Sequence, residues 1–111
     1  MTNELVGRVQ TIISSKPVAI FMKGTLDAPM CGFSHKVVEA MRSCGVSDND
    51  IASFDILSDD RKTFEALRQV TQWPTSPQVF INGKFVGGCD IICELYERGE
   101  LQQMVQPFVK Q

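Results

Sequence analysis

The chain has 111 residues and a formal net charge of −2. That length suits one domain with its own hydrophobic core, so residues 1–111 are expected to form a single domain. The balanced charge argues against nucleic acid as a partner, and no apolar run nears the ~20 residues needed to span a membrane.

Leu5, Val9, Ile12 and Ile13 recur at the spacing of one helix face, and Ser14-Ser15-Lys16-Pro17 breaks that helix. Val18 to Met22 is a continuous apolar run, the signature of a buried central strand. Lys23-Gly24 ends it, and Thr25 to Met30 forms a loop with Pro29 near its end. From Cys31, the residues Phe33, Val37, Met41 and Cys44 mark a helix face, with Gly45 as its stop. Ile51 to Leu57 reads as a second strand, so strand, helix and strand imply a right-handed parallel crossover. Ser58-Asp59-Asp60 supplies a cap and negative charge for a third helix, whose apolar face is Phe64, Leu67 and Val70.

After the stiff loop Trp73-Pro74-Thr75-Ser76-Pro77, strands Gln78 to Ile81 and Lys84 to Val86 flank Asn82-Gly83, a strong two-residue hairpin signal. Asp90 is placed to cap a helix carrying Ile91, Ile92, Leu95 and Tyr96, which Gly99 stops. Leu101, Met104, Val105 and Phe108 mark the last helix. The order α-β-α-β-α-β-β-α-α predicts an α/β fold, a four-stranded mixed sheet with helices on both faces. A cysteine after the first core strand and a proline just before the hairpin make this a thioredoxin-like pattern.

The cysteines are Cys31, Cys44, Cys89 and Cys93. The start, Met1-Thr2-Asn3-Glu4, lacks the basic, apolar and small-residue order of a secretion signal, and a core of this size needs no disulfide staple. No C-x₂-C pair is present and the lone His35 follows Cys31 by four residues, which speaks against a zinc site. A reducing intracellular compartment is expected: the mitochondrial matrix, if a transit peptide has been removed, or the cytoplasm.

Cys31-Gly32-Phe33-Ser34 carries the chemistry. A serine stands where a second cysteine would complete C-x-x-C, so Cys31 has the uses of a single thiolate: nucleophile, mixed-disulfide former or metal ligand. Free backbone N–H groups and the helix dipole at its position lower a thiol pKa. Lys23 can lean toward the same helix start, to steady the thiolate or pair with a ligand carboxylate; taken alone it is a solvated strand-end lysine. Ser76-Pro77 is a candidate cis bond, which would leave the Ser76 backbone free for an extended peptide, although a trans turn is the commoner case. Gly88-Cys89-Asp90 forms an anion nest at a helix start, with Asp90 available to an ammonium or simply as a cap. Cys44 and Cys93 are expected in the core, and Cys89 is expected to be an inert neighbour of Cys31.

Five motifs in order resemble the monothiol glutaredoxins of the CGFS type. They are Phe21-Met22-Lys23-Gly24-Thr25, Pro29-Met30-Cys31-Gly32-Phe33-Ser34, Trp73-Pro74-Thr75 with Pro77-Gln78-Val79, Asn82-Gly83, and Phe85-Val86-Gly87-Gly88-Cys89-Asp90-Ile91. The resemblance implies a glutathione site. Lys23 would hold the glycyl carboxylate, the Ser76 backbone beside cis-Pro77 the cysteinyl unit, and Cys89 and Asp90 the γ-glutamyl end, with Gly88 counted in the same cofactor site. It also implies a [2Fe–2S] cluster shared by two chains, with Cys31 of each and two glutathiones as its four thiolates. The chain would then be a monomer without cluster and a homodimer with it.

Two departures stand out. The family's arginine nine residues before Trp-Pro-Thr is Phe64 here, and the segment between Asp55 and Trp73 is one residue longer; Arg61 is favoured over Arg68 as the substitute. Ser76 replaces a bulkier apolar residue.

Three functions follow. The favoured one is an iron–sulfur carrier delivering clusters to apo recipient proteins, with Phe33 as an apolar wall beside the cluster. The loop Thr25 to Met30 would set glutathione against thiol exchange. The alternative is an enzyme, a glutathione-dependent oxidoreductase that deglutathionylates proteins by a one-thiol route, with weak activity expected. The third is a regulatory module that joins BolA-type partners and senses cluster status.

Overall fold

The structure, a computed structural model, describes residues 3–109. The leader reading of Met1-Thr2 falls outside those residues.

Helix α1 (Asn3–Ser15) precedes strand β1 (Val18–Met22); α2 (Gly32–Ser43) leads through a short 3-10 turn to β2 (Ile51–Asp55). Then come α3 (Lys62–Thr71), β3 (Gln78–Ile81), β4 (Lys84–Gly87), α4 (Cys89–Glu97) and α5 (Glu100–Val105), with a closing 3-10 turn at Gln106–Phe108. The sheet has four strands in the order β2-β1-β3-β4. β1 runs parallel to β2, with Val18 opposite Ile51, and antiparallel to β3, with Val18 opposite Ile81. It is thioredoxin-like: central β1 is buried at every position, as its unbroken apolar run predicts.

The alternation of side chains along a strand divides the core in two. Val18, Ile20 and Met22 of β1, with Val79 and Ile81 of β3, face Val37, Val38 and Met41 of α2, Ile92 of α4, and Leu101 and Val105 of α5. Ala19, Phe21 and Phe80 face Val9 and Ile13 of α1 and Phe64, Ala66 and Leu67 of α3. Helices therefore cover both faces. Phe21 meets Phe80 edge-on at 5.8 Å between ring centres.

Several local expectations are corrected. The second strand stops at Asp55, because the Asp55 carboxylate accepts from the Leu57 and Gly24 N–H groups and turns the chain. Val70 is 43 % exposed, and Thr63 and Ala66 join Phe64 and Leu67 in the core instead. Gly88, not Asp90, caps α4; Asp90 lies in its first turn. Phe33 is 57 % exposed, so the buried face of α2 begins at Ser34 and Val37.

Candidate functional site

The end of β1 and the start of α2 place Cys31. Gly24 has φ +88°, and a Cβ there would lie 2.7 Å from the Met30 nitrogen, so only glycine fits the turn. Thr25 and Ala28 exchange backbone hydrogen bonds at 3.2 Å, and the Met30 N–H donates to the Lys23 carbonyl at 2.9 Å. The loop thus folds back and delivers Cys31 beside Lys23. Cys31 is the N-cap of α2 in extended conformation (φ −155°, ψ 139°), and its carbonyl accepts the first helical bond from His35 N–H. Ser34 is fully buried, and its hydroxyl accepts from the Lys23 N–H at 3.2 Å.

Cys31 is half-buried and its pKa is lowered. The Ser34 backbone N–H contributes most, then that of Phe33, then the charge of Lys23 and the Ser34 hydroxyl; partial burial opposes them. His35 is exposed and is not among the groups that lower it.

A groove of about 350 Å³ opens over the thiol, lined by Lys23, Cys31, Phe33, Arg61, Thr75 and Ser76, with Ile56, Phe64 and Pro74 completing it. The Ser76–Pro77 bond is cis. Gln78, fully buried, donates from Nε2 to the carbonyls of Trp73 and Thr75 and so braces this loop from beneath. A second groove of about 260 Å³ holds Gly88, Cys89, Asp90, Ile91 and Trp73, and shares Thr75 with the first. Gly88 packs so close that a Cβ there would sit 3.1 Å from the Pro77 carbonyl oxygen. Lys23, Cys31, Phe33, Arg61 and Ser76 therefore line one groove and Gly88, Cys89 and Asp90 the other; the two meet at Thr75, and Pro77, also anticipated from sequence, lines neither and is buried.

Arg61 reaches the first groove because Asp60 (φ 56°) and Arg61 (φ 64°) are both left-handed, so the chain turns sharply before α3. Asp59 then does the capping, accepting from the Thr63 N–H at 3.2 Å and from its hydroxyl. Arg68 lies elsewhere, paired with Glu65 at 3.3 Å and lying 5.9 Å from the centre of the Phe64 ring.

Cys89 lines a different groove from Cys31, and its sulfur meets Cys93 at 3.9 Å. Burial, with the contact to Cys93, pushes the Cys89 thiol up to about 11. Cys93, expected in the core, is half-buried, whereas Cys44 is buried and its pKa raised by that burial.

Ser34, Asp55 and Thr75 were not singled out as contributors from sequence. The signals existed: a serine in the first turn after the cysteine, an aspartate at a strand end, and a threonine inside Trp-Pro-Thr. Among the described residues, no three His, Cys, Asp or Glu side chains gather as a metal site, and no helix is long and apolar enough to cross a membrane.

A thiol of lowered pKa at a helix start, sharing its groove with Ser76 of a cis Ser76–Pro77 bond on a thioredoxin-like sheet, defines a thiol protein of the thioredoxin-like fold class. The glutaredoxin family model matches residues 18–86. The chain is 50 % identical over 95 residues to monothiol glutaredoxin-S11 of Oryza sativa, covering 86 % of this chain but only 18 % of that protein. It is 43 % identical to a probable monothiol glutaredoxin 2 of Rickettsia typhi, over 99 % of this chain and 96 % of the other. Reduced apo GrxS14 of poplar superposes with a TM-score of 0.78 at 40 % identity, covering 93 % of this chain and 91 % of that one. The holo form of glutaredoxin C1 from Populus tremula x tremuloides gives 0.81 at 31 %, covering 95 % and 89 %. A buckwheat glutaredoxin–glutathione complex gives 0.77 at 27 %, covering 96 % of each. The chain belongs to the glutaredoxin family, in its monothiol, CGFS branch.

Proposed function

We propose that this protein binds glutathione across the two grooves and uses Cys31 to hold a dimer-bridging [2Fe–2S] cluster as cargo for apo recipient proteins. The observation that carries this reading is the half-buried thiol of Cys31 at the start of α2, with its pKa lowered and Ser34 buried in the place of a second cysteine.

The donor set fits. A [2Fe–2S] cluster takes four thiolates. Cys31 offers one per chain, and among the described residues no three His, Cys, Asp or Glu side chains gather as a site, so on this reading the others come from a second chain and from glutathione. Phe33 lines the groove and Met30, the residue before Cys31, is 69 % exposed, two exposed apolar side chains suited to a second protomer. Lys23 and Arg61 supply positive charge for glutathione's glycyl carboxylate, the Ser76 backbone lines the middle, and the N-terminus of α4 at Gly88, Cys89 and Asp90 receives the γ-glutamyl end. Support from relatives comes from the buckwheat glutaredoxin, which is a glutathione complex, and from the holo form of the poplar glutaredoxin. A BolA-type protein is a further candidate partner for the same two side chains. The reducing compartments that suit a free thiolate are the mitochondrial matrix and the cytoplasm.

Anaerobic reconstitution with iron, sulfide and glutathione tests this. The expected product is a coloured dimer that Cys31→Ser cannot form and that fails without glutathione. A cluster retained by Cys31→Ser overturns the assignment.

The lowered Cys31 pKa favours a second reading, deglutathionylation. The Cys31 thiolate attacks the glutathionyl sulfur of a protein mixed disulfide, and the protein thiolate leaves. A glutathione thiolate then attacks the Cys31-bound glutathione sulfur, releasing glutathione disulfide and the Cys31 thiolate. Rapid turnover of a glutathionylated peptide by the cluster-free monomer would favour it over the carrier.

A further inference from the structure

Cys89 and Cys93 stand four residues apart on α4, with their sulfurs 3.9 Å from one another. Both are half-buried. Each opens on a different groove: Cys89 on the one with Trp73 and Thr75, Cys93 on one of about 380 Å³ between α2 and α4, beside His35, Lys36 and Tyr96. The pair is therefore open to small solutes from either side. It lies outside the Cys31 groove, and the proposed function gives Cys93 no task.

Geometry selects what such a pair can take. A disulfide needs its sulfurs at ~2.0 Å and its Cβ atoms within about 4.5 Å. Helix positions four apart hold their Cβ atoms about 5–6 Å apart, so closing that bond would deform the first turn of α4. An inserted atom has no such difficulty. Two bonds of ~2.3 Å meeting at the narrower angle of a pyramidal trivalent centre hold their sulfurs about 3.3–3.5 Å apart, a few tenths of an ångström inside the 3.9 Å found here and within reach of a small side-chain rotation. The centre cannot require four protein ligands, because the described residues gather no three ligating side chains. It must be thiophilic and satisfied with two.

We propose that Cys89 and Cys93 form a bidentate dithiol site for trivalent arsenic, whose third valence stays with an organic group. The step is a condensation, without redox change, of an organoarsenous acid R–As(OH)2, the hydrated form that an arsine oxide takes in water. Two S–H and two As–O bonds break, two As–S and two O–H bonds form, and two waters leave, the arsenic remaining trivalent. Because the thiol protons leave with the water, a thiol held protonated is no obstacle, and the protonated state of Cys89 suits this chemistry better than nucleophilic attack. The partial burial of both side chains protects the adduct from single-thiol exchange, and chelation by two sulfurs on one rigid helix slows its loss.

The test treats the reduced full chain with phenylarsine oxide, washes with excess glutathione and weighs the intact protein. One phenylarsenic group is expected to remain on the wild type and on Cys31→Ser, and to be released by ethanedithiol. Cys93→Ser and Cys93→Ala, shown to be folded by circular dichroism and by unchanged glutathione binding, are expected to lose it in the glutathione wash. The adduct should raise Tm in Cys31→Ser but not in the Cys93 variants. Loss of the adduct in Cys31→Ser, or its survival in both Cys93 variants, overturns the proposal, as does a wild type that retains none.

Discussion

The backbone N–H of Lys23 donates to the hydroxyl of Ser34 at 3.2 Å, tying the first residue after β1 to the first turn of α2. Ser34 is fully buried there. The serine that leaves Cys31 without a redox partner also fastens the strand end to the thiol's own helix. Ser34→Ala removes the acceptor and leaves a part-buried N–H unpaired, a loss of about 1–3 kcal/mol. Urea unfolding is expected to register it, and alkylation of Cys31 should shift to higher pH, since the hydroxyl also helps lower the thiol pKa. An unchanged unfolding midpoint would show that the bond contributes nothing.

Thiol labelling should separate the cysteines by pH. Cys31 is depressed below its ordinary value, so it reacts first, while Cys89, pushed up to about 11, and buried Cys44 lag behind. The linkage has a definite sign. The depressed Cys31 pKa adds stability that is complete above the unfolded thiol pKa and is lost as pH falls through the folded value. The raised Cys89 acts in the opposite sense: its contribution is complete below the unfolded value and disappears as pH rises toward about 11. Iodoacetamide rates across pH, read by peptide mapping, check the order Cys31 before Cys89.

Arg61 and Arg68 make a discriminating pair. Arg61 lines the groove with Lys23, whereas Arg68 is engaged with Glu65 and Phe64. A charged contact that is partly open to water is worth about 1 kcal/mol, so Arg61→Ala should weaken glutathione binding by roughly fivefold. Lys23→Ala should do the same, and Arg68→Ala should leave the Kd where it was. Calorimetry with S-methylglutathione measures all three; an Arg68 effect larger than that of Arg61 would reverse the assignment.

Phe33 is exposed at the groove rim rather than packed in the core. Phe33→Ser should therefore change folding stability by less than about 0.5 kcal/mol. If Phe33 walls the cluster, the same change should shorten the lifetime of the reconstituted dimer several-fold, followed as decay of visible absorbance in air.

Gln72 ends α3 in the left-handed conformation (φ 59°, ψ 25°). That conformation costs a non-glycine residue about 1–2 kcal/mol, against about 0.5–1 for the extra freedom of glycine in the unfolded chain. Gln72→Gly is thus expected to stabilise the protein by up to about 1 kcal/mol, a rise of a few degrees in Tm by calorimetry.

Strand β1 was legible because its five apolar residues admit no other buried environment, and the β3–β4 hairpin because Asn82 and Gly83 suit a turn with positive φ at both positions. Cys31 at a helix start was legible for the same reason: each signal lies within a few residues of chain. The sequence by itself thus determined the order of elements, the mixed sheet and the placing of Cys31 at a helix start. Contacts between distant segments decided the rest. The rotation of α2 and α3 about their axes, set by docking on the sheet, left Phe33 and Val70 outside. The left-handed turn at Asp60 and Arg61 brought Arg61 rather than Arg68 to the groove. The docking of α4 against α2 left Cys93 on a groove beside Cys89 instead of in the core. Periodicity states that a helix has a buried side, but only the shape of what it packs against determines which residues at the margins of that side lose their water.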